Sequence, residues 1–213
     1  MKQLRRIFIL IIGAVLTFNS PVIADDKGNI KEDNPHVRRW NGFANNLLKL
    51  HHRLIKENAV TKKTSTGGYA GQPNFYKEEA FYSKSTGKII SRVQWEKELP
   101  EQMHTIEVYF YDKKGRIARD YSAAYLPTYR NAPSQTLINI HAYNNNTQAF
   151  RSFDASGAHV LDRCEGKYKG KDVNILLDED DLYNELDGVR LTPEYKACVK
   201  GLPESVGVYL VPQ

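Results

Sequence analysis

The chain has 213 residues, among them 30 Lys or Arg, 25 Asp or Glu, 13 Tyr, 8 Phe and two Cys. That length suits one domain with a sizeable core, and the aromatic content argues against a disordered chain. Without Lys2, Arg5 and Arg6 the chain carries 27 basic against 25 acidic residues, a net charge of +2; this excludes the strongly basic balance of a nucleic-acid binder.

Residues 1–24 have the form of a secretory signal peptide. Lys2, Arg5 and Arg6 make a basic start, and residues 7–18 an apolar core. Pro21 breaks the helix, and Val22, Ile23 and Ala24 precede a cleavage point after Ala24. The apolar run is shorter than the ~20 residues that span a bilayer. The chain therefore divides into a leader, 1–24, and a single secreted α+β domain, 25–213, placed in a bacterial periplasm or beyond. An uncleaved anchor is the alternative. After cleavage no transmembrane helix remains.

A helix begins near Asn34, a capping residue, with Pro35 at its first position. At 100° per residue Trp40, Phe43, Ala44, Leu47 and Leu54 share one face, flanked by Leu48, Leu50 and Ile55. The helix runs to about Ala59. Residues 61–73, rich in Gly, Thr, Ser and Lys, read as a long loop.

From Phe75 to Cys164 the period becomes two. Ile106, Val108 and Phe110 alternate with Glu107, Tyr109 and Tyr111; Ile138, Ile140 and Ala142 alternate with Asn139, His141 and Tyr143. Turn residues lie between the runs at 85–87, 113–115, 144–146 and 155–157, so adjacent strands are antiparallel. A weak repeat links residues 111–117 (YDKKGRI) with 153–159 (FDASGAH) and, more loosely, with 81–87 (FYSKSTG). The first copy resembles the YDxxGR(L/I) hairpin of the YD repeats in Rhs-type secreted proteins over about a dozen residues. The long array of that family is absent, and the resemblance implies a shared hairpin chemistry and no function: an aromatic, an Asp that bonds turn amides, and a Gly in the left-handed region.

After Cys164 come a Gly/Lys turn over 165–171, a strand over 173–177, an acidic helix from Asp178 to about Leu186, a helical turn over 194–199 and a last strand over 206–211. The fold class is α+β: an antiparallel meander of about six to nine strands, with the long amphipathic helix packed on it and a short C-terminal helix. The sheet is either open and wrapped, as in cystatin-like or NTF2-like folds, or closed into a barrel.

Cys164 and Cys198, an even count in an oxidising compartment with no CxxC spacing, are read as a disulfide. His51 falls near the centre of the helix's apolar face. It is either a core histidine with one hydrogen bond or, with His141 on a strand, a metal or haem ligand. His51 and His52 point about 100° apart on a helix, so one ion cannot easily use both. Tyr109, Tyr111, Tyr121, Tyr129, Tyr143, Arg130 and Arg151 form a set of the types enriched in contact hot spots and are taken as a candidate binding face. Arg38, Arg39, Lys49, Arg53, Lys56, Lys62 and Lys63 give the N-terminal part a basic surface. Residues 178–187 hold six acids, but Tyr183 stands where a calcium loop needs glycine. There is no GxSxG elbow and no phosphate loop.

These features describe a periplasmic or secreted, disulfide-stapled, non-enzymatic module that binds an unknown protein or small-molecule partner of the cell envelope. A metal or haem accessory protein using His51 and strand histidines is the alternative, and a small cell-envelope hydrolase a further one. No cofactor is identifiable. Mass analysis of the exported chain is expected to show Asp25 as the first residue and a mass two hydrogens below the reduced value. A chain that keeps residues 1–24 would instead be anchored.

Overall fold

A computed structural model describes residues 35–125, 133, 135–183 and 188–213. Helix α1 spans Pro35–Glu57; Asn34, the expected cap, lies outside the described residues. Nine strands follow: β1 (Val60–Tyr69), β2 (Gln72–Ser83), β3 (Ile89–Glu96), β4 (Met103–Tyr111), β5 (Ile117–Ala124), β6 (Gln135–Asn144), β7 (Thr147–Phe153), β8 (His159–Tyr168) and β9 (Lys171–Leu177). They form one sheet in the order β1 to β9, every neighbouring pair antiparallel. Edges β1 and β9 do not pair with each other, so the sheet is open rather than a barrel. The C-terminal part holds α2 (Glu179–Tyr183), a 3-10 turn (Gly188–Leu191), α3 (Pro193–Cys198) and a second 3-10 turn (Gly207–Leu210).

Alternation decides which side chains are buried. Ile106, Val108, Tyr121, Ala123, Ile138 and Phe153 are fully buried on one sheet face. Against them pack Phe43, Ala44, Leu47 and Leu50 of α1, which crosses β3 to β6. Leu50, placed by helical counting at the flank, is only 3% exposed. The C-terminal segment covers the same face farther along: α3 packs on β6, β7 and β8, and α2 on β8 and β9. Leu202 and Val206 join Cys164 and Cys198 in the common core. No described helix lies on the opposite face.

The hairpins of the internal repeat are built alike. In β4–β5, Asp112 Oδ1 accepts the amides of Lys114 and Arg116, both at 2.9 Å. In β7–β8, Asp154 Oδ1 accepts those of Ser156 at 2.7 Å and Ala158 at 2.9 Å. Gly115 and Gly157 both have φ in the left-handed region, at 76° and 86°, where a Cβ is penalised.

Three expected elements differ. Residues 61–73 are not a loop but most of β1 and the start of β2. Residues 61–66 of β1 are exposed on both faces, so the contrast that produces alternation is missing, and Thr and Ser tolerate strand geometry. The turn over 165–171 shrinks to Lys169 and Gly170, with φ of 48° and 80°, the pair of positive angles that a two-residue hairpin needs. The last strand is instead a 3-10 turn. Val206, Tyr209 and Leu210 meet the core at spacings of three and four, which is helical rather than extended.

Cys164 on β8 and Cys198 at the end of α3 form a disulfide, their Cα atoms 6.1 Å apart. It closes a loop with a sequence separation of 34. Loop-closure entropy makes such a bond worth about 3–4 kcal/mol. Cys164→Ser with Cys198→Ser is expected to lower unfolding stability by about that amount in denaturant titration, and each single change should cost nearly as much as the pair.

Candidate functional site

The sheet face that no described helix covers carries side chains of the parity opposite to the core. Across it runs a series of polar contacts. Gln94 donates to Glu78 at 3.0 Å. Arg92 Nη1 donates to Glu107 at 3.3 Å, and the Tyr109 hydroxyl donates to the same Glu107 oxygen. Tyr109 stands opposite Asp120 in the β4–β5 register. Asp120 in turn accepts from Asn139 at 2.7 Å and contacts His141 Nε2 at 2.6 Å. Ser152 donates to Asn139 at 2.6 Å. The series therefore spans β2 to β7 with cross-strand neighbours as its steps. Burial, followed by the charge and hydrogen bond of Glu107, raises the Tyr109 hydroxyl far above its ordinary pKa, so it stays a proton donor at any physiological pH.

Beside this series, β6, β7 and β8 frame a cavity of about 250 Å³ walled by Ile117, His141, Tyr143, Gln148, Phe150 and Arg163. His141 and Phe150 stack obliquely, ring centres 5.4 Å apart. The Tyr143 hydroxyl donates to the Ile117 carbonyl at 3.0 Å, and the Arg116 guanidinium lies 4.2 Å over the Tyr143 ring. Tyr111 is fixed likewise, by a 2.9 Å bond to the Ile89 carbonyl and by Lys88 over its ring. These aromatics are half-buried and held in place before any partner arrives.

The predicted binding set is split by the fold. Tyr109, Tyr111 and Tyr143 share the uncovered face. Tyr121 and Arg151 have the other parity and are buried, at 0% and 2% exposure. Tyr129 and Arg130 lie outside the described residues. Glu107, Asp120, Asn139, Phe150 and Arg163, absent from the predicted set, complete the face; their shared parity with Tyr109 or His141 was the available signal.

Arg151 has a distinct environment. Its Nε and Nη2 grip both oxygens of Asp162 at 2.8 and 3.0 Å. Tyr195 donates to Asp162 at 2.5 Å, and His159 Nε2 lies 2.9 Å from it. Burial alone would raise the Asp162 pKa, but hydrogen bonds from His159, Arg151 and Tyr195 prevail and hold it well below the usual carboxylate range. Tyr195 is pushed up to about 12 by burial and by Asp162.

The two histidines named as metal candidates are not brought together. His51 lies on the helix side, 4% exposed, with Nδ1 2.9 Å from the Ser91 hydroxyl and its ring against Phe81. His141 is on the opposite face with Asp120. Among the described residues no group of three or more His, Cys, Asp or Glu is placed to hold a metal ion.

No family model matches the chain, and no curated protein matches it. Among solved structures, a DUF3836 family protein from Bacteroides vulgatus is similar over 47% of this chain and 98% of that chain, at 12% identity and a TM-score of 0.28.

Burial, then the neighbouring His52, lowers the His51 pKa to about 4, against a weaker opposing pull from Glu79. Folded His51 is thus neutral where the unfolded residue, near 6.5, takes up a proton. Its contribution to stability is intact above pH 6.5 and is lost as pH falls toward 4. The expected loss is at most about 3 kcal/mol. His51→Gln should flatten the stability–pH curve in that window, as read by urea titration at stepped pH.

Proposed function

We propose that this chain is an exported, non-enzymatic binding module that receives its partner on the uncovered face of the sheet. The observation that carries this reading is the face itself. A soluble sheet face with no described cover would ordinarily be dotted with mobile, solvated side chains. Here it holds half-buried Tyr109, Tyr111, Tyr143 and His141, each tied by a hydrogen bond, with Phe150 against the His141 ring. Rigid aromatics with satisfied polar neighbours lose little conformational entropy on contact, which is what makes such residues effective anchors. The cavity beside His141 offers one deeper point of contact.

Export is supported by the composition of residues 1–24 and by the disulfide, a bond that persists in oxidising compartments. Among the described residues no helix is long and apolar enough to cross a membrane.

The reading is tested by placing a photo-crosslinking amino acid at position 109 or 143, with position 49 on the solvent side of α1 as the control. Irradiation in the cell envelope is expected to give one adduct of discrete mass from the sheet-face positions and none from the control. With the crosslinker at position 109, Tyr143→Ala combined with Arg163→Ala should reduce the adduct yield more than tenfold, the scale of truncating an anchor. Equal adducts from all three positions, or none from the sheet face, would overturn the assignment.

A further inference from the structure

A second concavity lies on the side of the molecule that the sheet-face reading does not use. Between α3 and the chain that follows it is an open cavity of about 500 Å³. Arg151, Arg190, Tyr195, Lys196, Lys200 and Glu204 supply its polar lining. Glu204 is the single acid on that wall. Arg190, Lys196 and Lys200 are exposed cations, while the charge of Arg151 is balanced beneath them by Asp162.

The Arg151–Glu204 contact is unequal. Arg151 is held from three sides: by Asp162, by the Pro203 carbonyl at 3.0 Å and by burial, its side chain 2% exposed. Its Nη1 reaches Glu204 at 3.2 Å, yet the Glu204 side chain is 88% exposed. Such a carboxylate is weakly retained, since ion pairs that solvent reaches are worth little. The guanidinium cannot leave; the carboxylate can. What remains when it swings out is one N–H of Arg151 Nη1, held in orientation by the bonds to Asp162 and Pro203, in a cavity whose lining also carries Lys196 and Lys200.

We propose that this cavity is a binding site for a small organic acid, and that Glu204 occupies the carboxylate seat in the unliganded protein. The incoming carboxylate takes Arg151 Nη1, Lys196 and Lys200 neutralise it, and Glu204 moves into solvent. The volume is that of a site for a sugar acid or a short peptide rather than an inorganic ion alone. The site is independent of the sheet face, which lies across the sheet from it.

The test is titration of the disulfide-bonded, isotope-labelled chain by two-dimensional NMR, following the Arg151 Nε–H signal and the amides of residues 200–202. The probes are glucuronate, with glucose as its neutral counterpart, and N-acetyl-Ala-Ala, with its C-terminal amide. The two acids distinguish a uronic sugar from a peptide C terminus as the source of the carboxylate. At least one acid is expected to shift these signals saturably, and neither neutral counterpart should. Glu204→Gln removes the internal competitor and should tighten binding by roughly two- to fivefold, the occupancy an exposed pair can impose. Lys196→Ala with Lys200→Ala should weaken it roughly tenfold. All three side chains are exposed, so the remaining spectrum should stay unchanged. Silence toward both acids, equal response to the neutral compounds, or an affinity that Glu204→Gln leaves unaltered would overturn the proposal.

Discussion

The buried pairing of Arg151 with Asp162 is the constraint to which the C-terminal half of the molecule is fitted. A guanidinium placed in a core is tolerable only when its donors are met, and one left without its partners costs several kcal/mol. Neighbouring strands β7 and β8 supply Arg151 and Asp162, but the sheet alone does not finish the job. The Pro203 carbonyl and the Tyr195 hydroxyl come from the segment that folds back over the sheet. That segment must therefore lie where it does, and the Cys164–Cys198 bond ties it to β8 two residues from Asp162. Ion pairs of this kind add less to stability than well-packed apolar groups would. Their value here is to single out one arrangement of a segment that combines buried Tyr195, Leu202 and Val206 with exposed Leu191, Val208 and Val211.

The two faces of the sheet are consequently unlike. One is sealed by α1 and the C-terminal segment over a continuous core. The other keeps aromatic and charged side chains at intermediate exposure, each restrained by a neighbour on the next strand. Both candidate sites follow from that asymmetry. The sheet face presents a broad restrained surface, and the C-terminal cavity lies over buried Arg151, where the exposed Glu204 carboxylate completes the cover.

What could be read from the residues is what had strong contrast. The stripe of α1 in outline, the alternation in β4 and β6, the Gly-containing turns at 85–87, 113–115 and 155–157 and the cysteine pair are legible in the residues, because each combines a period or a turn residue with a buried side. β1 was missed because a strand wetted on both sides has no such contrast. Residues 207–210 were missed because a short Val- and Tyr-rich run fits two periods, and only its packing on the core selects the helical one. Among site residues, type misled where parity would have helped. Arg151 shares its parity with Ala149 and Phe153, Tyr121 with Ala123, and Asp162 with Cys164, all of them buried. The location of the C-terminal cavity lay beyond any local pattern, since it arises from a contact between residues 52 or 53 positions apart.

Each strand of the sheet hydrogen-bonds only to strands adjacent in sequence. Such a topology closes only short loops, so assembly can proceed hairpin by hairpin with little entropic penalty at any step. It also leaves the architecture extensible. A strand–turn–strand unit inserted within the meander lengthens the sheet by two strands and reroutes no connection. The hairpins at Asp112–Gly115 and Asp154–Gly157, alike down to the amides their aspartates accept, show one turn design serving at two places in such a sheet.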